Sequence, residues 1–183
     1  MTIMKKHPFL QVDFVSTVKL SKSEQAKIAK WLNIASEVME KLVERKIIKS
    51  KVSQMSVSLL ICGDAKIKQI NKEFRQKDKV TDVLSFPSLD NLRNSHLKTH
   101  EIFLGDLAIC HGATKRQAKE FSISYFDEFI HLFFHGVIHL LGYDHEISEK
   151  EEKLMQKWED LALKLFSEIK KGAYDLSPKF RTV

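Results

Sequence analysis

Three histidines in the last third of this 183-residue chain have the spacing of a metal site. His135 and His139 are four residues apart, so on a helix both imidazoles project from one face. Such a pair offers two nitrogens to one Zn²⁺. Gly142 stands where the helix would end in a left-handed residue, and the reversal would return His145 as a third ligand. Three protein ligands leave a fourth position for water, which is typical of a catalytic zinc site.

Two further residues of this stretch have roles that stay open. His131 lies four residues before His135, so these two are an alternative metal-binding pair, although His145 would reach it less easily. We expect His131 to be a core residue or a support for a ligand. Asp144 is a candidate general base or could orient a ligand histidine, and a turn-forming role without chemistry is the alternative.

The pattern H-x-x-x-H-x-x-G-x-x-H, from His135 to His145, is that of the metzincin peptidases. Those enzymes carry a glutamate directly after the first histidine as the base that activates the zinc-bound water. This chain has Gly136 there, which cannot accept a proton. The spacing therefore predicts a zinc site without the peptidase base. A catalyst of this kind takes its base from elsewhere or relies on the metal, which lowers the pKa of bound water to about 7.

A second cluster of candidate residues is NKEFRQKDKVTDVLSFP, at 71–87. Arg75 could bind a phosphate through two N–H groups at once, as a lysine cannot. Lys72, Lys77 and Lys79 would add positive potential, although a solvated charged face is the alternative for this segment. The net charge of +6 is compatible with a nucleic-acid partner.

The elements that must position these residues suggest one α+β domain over residues 1–171 and a loosely ordered tail at 172–183. Hydrophobic period and turn residues predict strands at 10–16, 53–62, 82–87 and 101–110. They predict helices from Ser21 or Ser23 to about 46, from a cap at Asp64 to about 74, and over about 113–121, 124–141 and 148–170, the last with a Ser148–Glu151 capping box. Segment 88–100 is expected to be an irregular loop. The zinc site would lie at the C-terminal end of the central helix at 124–141.

Composition narrows the class of protein and its compartment. Hydrophobic residues are 43% and charged residues 30% of the chain, as in soluble globular proteins. Cys62 and Cys110 are too few for a disulfide framework and suit a reducing compartment. The uncharged run 129–143 is too short and too rich in histidine to span a bilayer. With no signal-peptide pattern at the N-terminus, we expect a cytoplasmic protein.

Three sequence blocks together resemble the YbeY family of bacterial rRNA-maturation endoribonucleases. They are HGVIHLLGYDHE at 135–146, NKEFRQKDKVTDVLSFP at 71–87 and LGDLAIC at 104–110. The resemblance covers roughly residues 10–170. It implies an α+β fold with a mixed four-stranded sheet flanked by about five helices.

The resemblance also implies a site and an activity. One Zn²⁺ would lie on His135, His139 and His145, and Arg75 would line the substrate cleft and be needed for cleavage. The activity would be metal-dependent cleavage of single-stranded RNA. It would serve 3′-end maturation of small-subunit (16S) rRNA and ribosome quality control.

We therefore predict a single-strand-specific, zinc-dependent endoribonuclease whose partners are single-stranded RNA and the ribosomal small subunit. Arg75, His135 and Asp144 are the predicted catalytic residues. One alternative is a zinc metallopeptidase-like hydrolase, against which Gly136 argues. The other is a zinc-stabilised ribosome assembly factor without catalysis, in which Arg75→Ala would weaken RNA binding with no cleavage to lose.

Overall fold

The computed structural model describes residues 8–175, which form one mixed sheet and five α-helices. The elements in chain order are β1 (Leu10–Ser16), α1 (Lys22–Glu44), β2 (Lys51–Cys62), α2 (Asp64–Arg75), β3 (Val83–Pro87), a 3₁₀ turn (Leu92–Asn94), β4 (Lys98–Cys110), α3 (His111–Glu120), α4 (Tyr125–Leu140) and α5 (Glu149–Asp175). The predicted α+β class, with four strands and five helices, is confirmed.

The strand order in the sheet is β1-β2-β4-β3, with β3 as an antiparallel edge strand beside three parallel strands. The register of β2 and β4 shifts beside Gly105, which has a φ of 134°. A Cβ at this position would lie 2.1 Å from the carbonyl oxygen of Phe86 on β3. Gly105 therefore lies at a bulge with close backbone approach, as its place inside a strand predicts.

The two faces of the sheet are covered unequally. Met55, Val57, Leu59 and Ile61 of β2 alternate into the large core that also contains α1, α4 and α5. The other face has a smaller cluster in which Cys62 of β2 packs with Ile67 of α2. Helix α4 therefore lies on the face of the sheet that has the larger core, with the sheet on one side and α5 on the other.

Of the two predicted N-terminal caps of α1 and α2, the structure has the first and lacks the second. Ser21 and Glu24 form the capping box of α1, with the Ser21 N–H donating to the Glu24 carboxylate at 2.8 Å. Asp64 is not a cap, because Gly63 occupies the N-cap of α2. The Asp64 carboxylate instead accepts a hydrogen bond from Arg116 at 2.8 Å, which ties α2 to α3.

Most predicted boundaries differ from the structure by one or two residues, and those of β4 and α5 differ by more. The segment expected to be a loop, 88–100, contains the 3₁₀ turn and the first residues of β4, because Lys98 already pairs with Lys51 of β2. Helix α5 continues through Gly172 to Asp175, whereas the loose tail was predicted to begin at 172. The remainder of the predicted tail, 176–183, and the first seven residues of the predicted domain lie outside the described residues.

Cys62 and Cys110 are free thiols, both buried, on paired strands. Burial raises the pKa of the Cys62 thiol to about 11. Both therefore pack as small buried hydrophobes. Among residues 8–175, none of the helices combines the length and the apolar character that crossing a membrane requires.

Candidate metal centre

Helix α4 is the element that carries the first two histidines. Ser124 caps it by accepting a hydrogen bond from the Asp127 N–H at 3.1 Å, and two acidic residues stand in the first turn, where the helix dipole favours them. Most of the helix is buried. His135 and His139 lie on the less buried side of its last turns, so the core fixes the backbone from which both imidazoles project.

The chain reverses at Gly142, immediately after α4. Gly142 has a φ of 95° and its N–H bonds to the His139 carbonyl at 2.9 Å. A Cβ there would lie 2.8 Å from the Cα of Asn91, so the turn requires glycine for both its conformation and its space. The reversal returns His145 to the two helical histidines, as predicted.

The three histidines converge on one point. Each offers a ring nitrogen, and these nitrogens all lie within 4.8 Å of one another. The Nε2 atoms of His135 and His139 are 3.1 Å apart. Two nitrogens bound to one tetrahedral zinc at about 2.0–2.1 Å would be about 3.3 Å apart, so the spacing fits a shared ion.

The opposite ring nitrogens have partners that fix the tautomers. Nδ1 of His135 lies 2.8 Å from a carboxylate oxygen of Glu159, and Nδ1 of His139 lies 2.8 Å from the carbonyl oxygen of Tyr143. Each Nδ1 faces an acceptor and therefore carries the proton, which leaves both Nε2 lone pairs directed at the same space. Two lone pairs at this separation repel unless a cation lies between them, so the donor set fits a metal ion.

Electrostatics keep the half-buried His139 in the form that binds a metal. Burial, and then the proximity of His135, lower the pKa of His139 to about 4, against a smaller opposing effect of the Tyr143 carbonyl. His139 is therefore neutral at pH 7. A neutral imidazole is the form that a metal ion binds without first displacing a proton.

Glu159 was not anticipated from the sequence. It lies on α5, is only 6% exposed, and pairs with His135. The sequence feature that could have revealed Glu159 is its place as a charged residue on the apolar face of a helix, one turn from the buried Met155 and Ala162. A buried carboxylate needs a partner, and here the partner is a histidine of the cluster.

His131 does not join the cluster. Its Nδ1 lies 3.5 Å from the carboxylate of Glu128, a buried residue one turn earlier on the same helix. Among the described residues, the only group of three or more side chains placed to hold a metal ion is His135, His139 and His145. The alternative pair of His131 and His135 is therefore not the arrangement that the structure brings together.

Asp144 lies beside the cluster with its carboxylate engaged in a turn. Its Oδ1 accepts a hydrogen bond from the Glu146 N–H at 2.9 Å, which is the turn-forming role considered above. The residue also lines the cleft that contains the histidines. Its position is thus compatible with a role in proton transfer as well.

A cleft of about 740 Å³ joins the two predicted motifs. Arg75, the last residue of α2, lines it, and its Nη2 donates to the carbonyl oxygen of Ser85 at 2.8 Å. Lys77 and Lys79 line the same space. The second cluster and the histidine cluster are separate in sequence but face one cavity. On the histidine side this cavity is lined by His135, His139, Asp144 and His145.

Arg93 is a second residue that the sequence did not reveal. It lines the cleft, its guanidinium lies 4.6 Å from the ring centroid of Tyr143, and it pairs with Glu151 of α5. Glu151 was predicted to close a capping box with Ser148. The Ser148 hydroxyl does accept from the Glu151 N–H at 3.3 Å, but the carboxylate turns to Arg93 instead.

Fold and site together define an α+β protein in which three histidines that could hold a metal ion share a cleft with arginine and lysine side chains. Residues 17–167 match the family model described as endoribonuclease YbeY, and this chain belongs to that family. The resemblance found in the sequence is thereby confirmed.

Similar proteins extend over most of the chain. An endoribonuclease YbeY of Persephonella marina is 38% identical over 128 residues, which cover 70% of this chain and 81% of the relative. An endoribonuclease YbeY of Aquifex aeolicus is 33% identical over 153 residues, covering 84% and 98%. A solution structure of a Thermotoga maritima protein covers 94% of this chain and 99% of its own, with a TM-score of 0.55 and 22% identity, and shows the same fold.

Proposed function

We propose that this chain is a zinc-dependent endoribonuclease that cleaves single-stranded RNA. The observation that carries the proposal is that the imidazoles of His135, His139 and His145 converge in one cleft with Arg75. The names of the relatives support RNA as the substrate. Zinc, rather than Mg²⁺ or Ca²⁺, is supported by an all-imidazole donor set, because those two ions prefer carboxylate and water oxygens.

Each residue of the cleft has a proposed task. When bound, the zinc ion would polarise a phosphodiester oxygen and lower the pKa of a water molecule. Arg75 is held by Ser85 through one nitrogen, and its remaining N–H groups would offset the charge that grows on the phosphoryl oxygens. Lys77 and Lys79 would attract the RNA backbone without reading the bases. Asp144, with one oxygen committed to its turn, is the proposed proton acceptor through the other.

The cellular role that we propose comes from the family. It is 3′-end maturation of small-subunit (16S) rRNA and ribosome quality control in the cytoplasm, with the ribosomal small subunit as partner. The positive net charge of +6 supports an RNA-rich partner of this kind.

The test is cleavage of defined single- and double-stranded RNAs by zinc-loaded protein, beside a casein assay for peptidase activity. Arg75→Ala is expected to lower RNA cleavage by about 10²–10³-fold while zinc content and melting temperature are kept. Arg45→Ala is the matched control, because Arg45 also stands at a helix end and donates one Nη hydrogen bond to a backbone carbonyl. Undiminished cleavage by Arg75→Ala would remove this residue from the mechanism. RNA binding without any cleavage by the zinc-loaded wild type would favour the assembly-factor alternative.

The ligand assignment has its own test. His139→Ala is expected to lose stoichiometric zinc, as measured by elemental analysis of the purified protein. His131→Ala, on the same helix but outside the cluster, should retain one equivalent. A full equivalent of zinc in His139→Ala would contradict the assignment.

A further inference from the structure

A pair of aromatic rings, one exposed and one half-buried, stands beside the cleft. Phe74, in the last turn of α2, is 62% exposed, and its ring centroid lies 5.3 Å from that of Phe86 on β3. The two rings meet edge to face, with their planes at 65°. An edge contact leaves ring surface of Phe74 open to solvent, so the pair has an apolar face that folding has not covered.

The position of this pair follows from the edge strand that carries it. Four residues of β3 line the cleft, namely Val83, Leu84, Ser85 and Pro87, whereas Phe86 packs on the α2 side of the sheet. Within residues 8–175, β3 is the last strand of the sheet and has no neighbour beyond it. A chain that leaves the cleft across this edge would therefore reach the two rings next.

Arg75 connects the two places. It lines the cleft and donates to Ser85, yet its guanidinium carbon lies 5.8 Å from the ring centroid of Phe86. The phosphate group proposed to contact Arg75 would thus lie close to the rings. The aromatic surface is in the right place for the base of an adjacent nucleotide.

We propose that Phe74 and Phe86 form a stacking site for one unpaired RNA base beside the phosphate that Arg75 contacts. The inference rests on the proposed function and gives it a reason for preferring single strands. An unpaired base can turn its face onto an aromatic ring, whereas a base inside a duplex is already stacked on both sides. The basic side chains of Lys77 and Lys79 in the adjoining cleft favour an RNA chain over an apolar protein segment as the occupant.

A tryptophan placed at the site would report stacking directly. The two native tryptophans, Trp31 and Trp158, are only 2% and 9% exposed. Phe74→Trp would therefore add an exposed indole whose fluorescence a stacked base quenches. Phe121→Trp is the matched control, because Phe121 is 58% exposed at the end of α3. Both zinc-loaded variants are titrated with a single-stranded RNA of about eight nucleotides whose 2′-O-methyl and phosphorothioate groups protect it from the proposed cleavage, while fluorescence anisotropy of the labelled RNA reports binding independently.

Quenching of Phe74→Trp that saturates with the anisotropy curve, and unchanged emission from Phe121→Trp, is the expected result. Phe74→Ala should weaken RNA binding by about 5- to 150-fold, and Phe121→Ala should leave it unchanged. The loss from Phe74→Ala should vanish when one nucleotide of the RNA is made abasic, because base and ring then no longer interact in either protein.

The outcomes separate this inference from the function on which it rests. RNA binding with no quenching of Phe74→Trp would overturn the stacking site and leave the nuclease proposal standing. The same holds if Phe74→Ala weakens binding equally whichever base is removed, since the ring would then act through the fold or through Arg75. Failure of the wild-type protein to bind single-stranded RNA would overturn both.

Discussion

Glu159 provides a test of whether the histidine cluster is built for a metal, because it supports one ligand without being one. Its carboxylate is buried and lies 2.8 Å from Nδ1 of His135. The contact fixes the ring orientation and increases the electron density on the opposite nitrogen. Glu159→Leu removes this acceptor, while Glu159→Gln keeps a neutral one.

The size of the effect follows from the position behind a ligand. Loss of such a partner typically weakens metal binding by about 10- to 100-fold, which corresponds to about 1.4–2.7 kcal/mol. At a fixed excess of zinc, the stabilisation by bound metal falls by the same amount. For a chain of this length, about 2–4 °C per kcal/mol then removes about 3–11 °C from the zinc-dependent rise in melting temperature. Glu159→Gln should show the smaller part of this range.

The assay is thermal unfolding with and without zinc, together with chelator competition for the dissociation constant. Glu128→Gln is the matched control, because Glu128 is a buried acid of α4 facing a histidine outside the cluster. It should change the zinc-dependent shift little, whatever it does to the apo protein. Wild-type zinc affinity in both Glu159 variants would refute the reasoning, since His135 would then need no support from α5.

Three further changes test other parts of the structure. Gly136→Ala should destabilise the fold by about 1–3 kcal/mol in urea unfolding, because its Cβ would lie 2.2 Å from Cδ1 of Leu107; equal or higher stability would contradict that packing. Arg93→Ala should weaken zinc binding in chelator competition, because Arg93 packs on Tyr143, whose carbonyl orients His139. Unchanged zinc affinity would show that the position of the Tyr143 carbonyl does not depend on Arg93. Burial alone would raise the pKa of Asp82, but hydrogen bonds from the Gln117 side-chain amide and from Val83 and Thr81 lower it. Its contribution is therefore present above the usual aspartate pKa and lost as pH falls through the folded value, so the stability gap to Asp82→Asn should close in acid and a constant gap would oppose this.

The helices were easier to predict than the ends of the strands. Helix α4 has a serine cap, acidic residues in its first turn and a glycine after its end, and all of these signals are local. The first four residues of β4, from Lys98, are exposed and polar with no alternation, and β2 begins at the exposed Lys51 with only Val52 as an apolar residue before Met55. They are strands because each pairs with the other, and a sequence read along one chain does not show that partner.

The same distinction holds at the site. His135, His139 and His145 lie within eleven residues, so a helix and one turn suffice to bring them together. Glu159 comes from the next helix, and its hydrogen bond to His135 depends on how α5 packs against α4. The packing of Arg93 on Tyr143 spans a still longer separation in the chain. Such contacts are set by tertiary structure, and only the odd charge on an apolar helix face hints at the first of them.

Gly136 shows why the resemblance to a peptidase motif ends at the metal. A side chain there would point at Leu107 of β4, and the Gly136 carbonyl accepts a hydrogen bond from the Ser85 hydroxyl at 3.3 Å. The position thus lies against the sheet, so a glutamate would be buried between helix and strands. Glycine lets α4 approach the edge strand that also receives the hydrogen bond from Arg75. The close packing that leaves no room for the peptidase base therefore also brings the histidines and the arginine to one cleft, an arrangement that suits an anionic phosphodiester better than a neutral peptide.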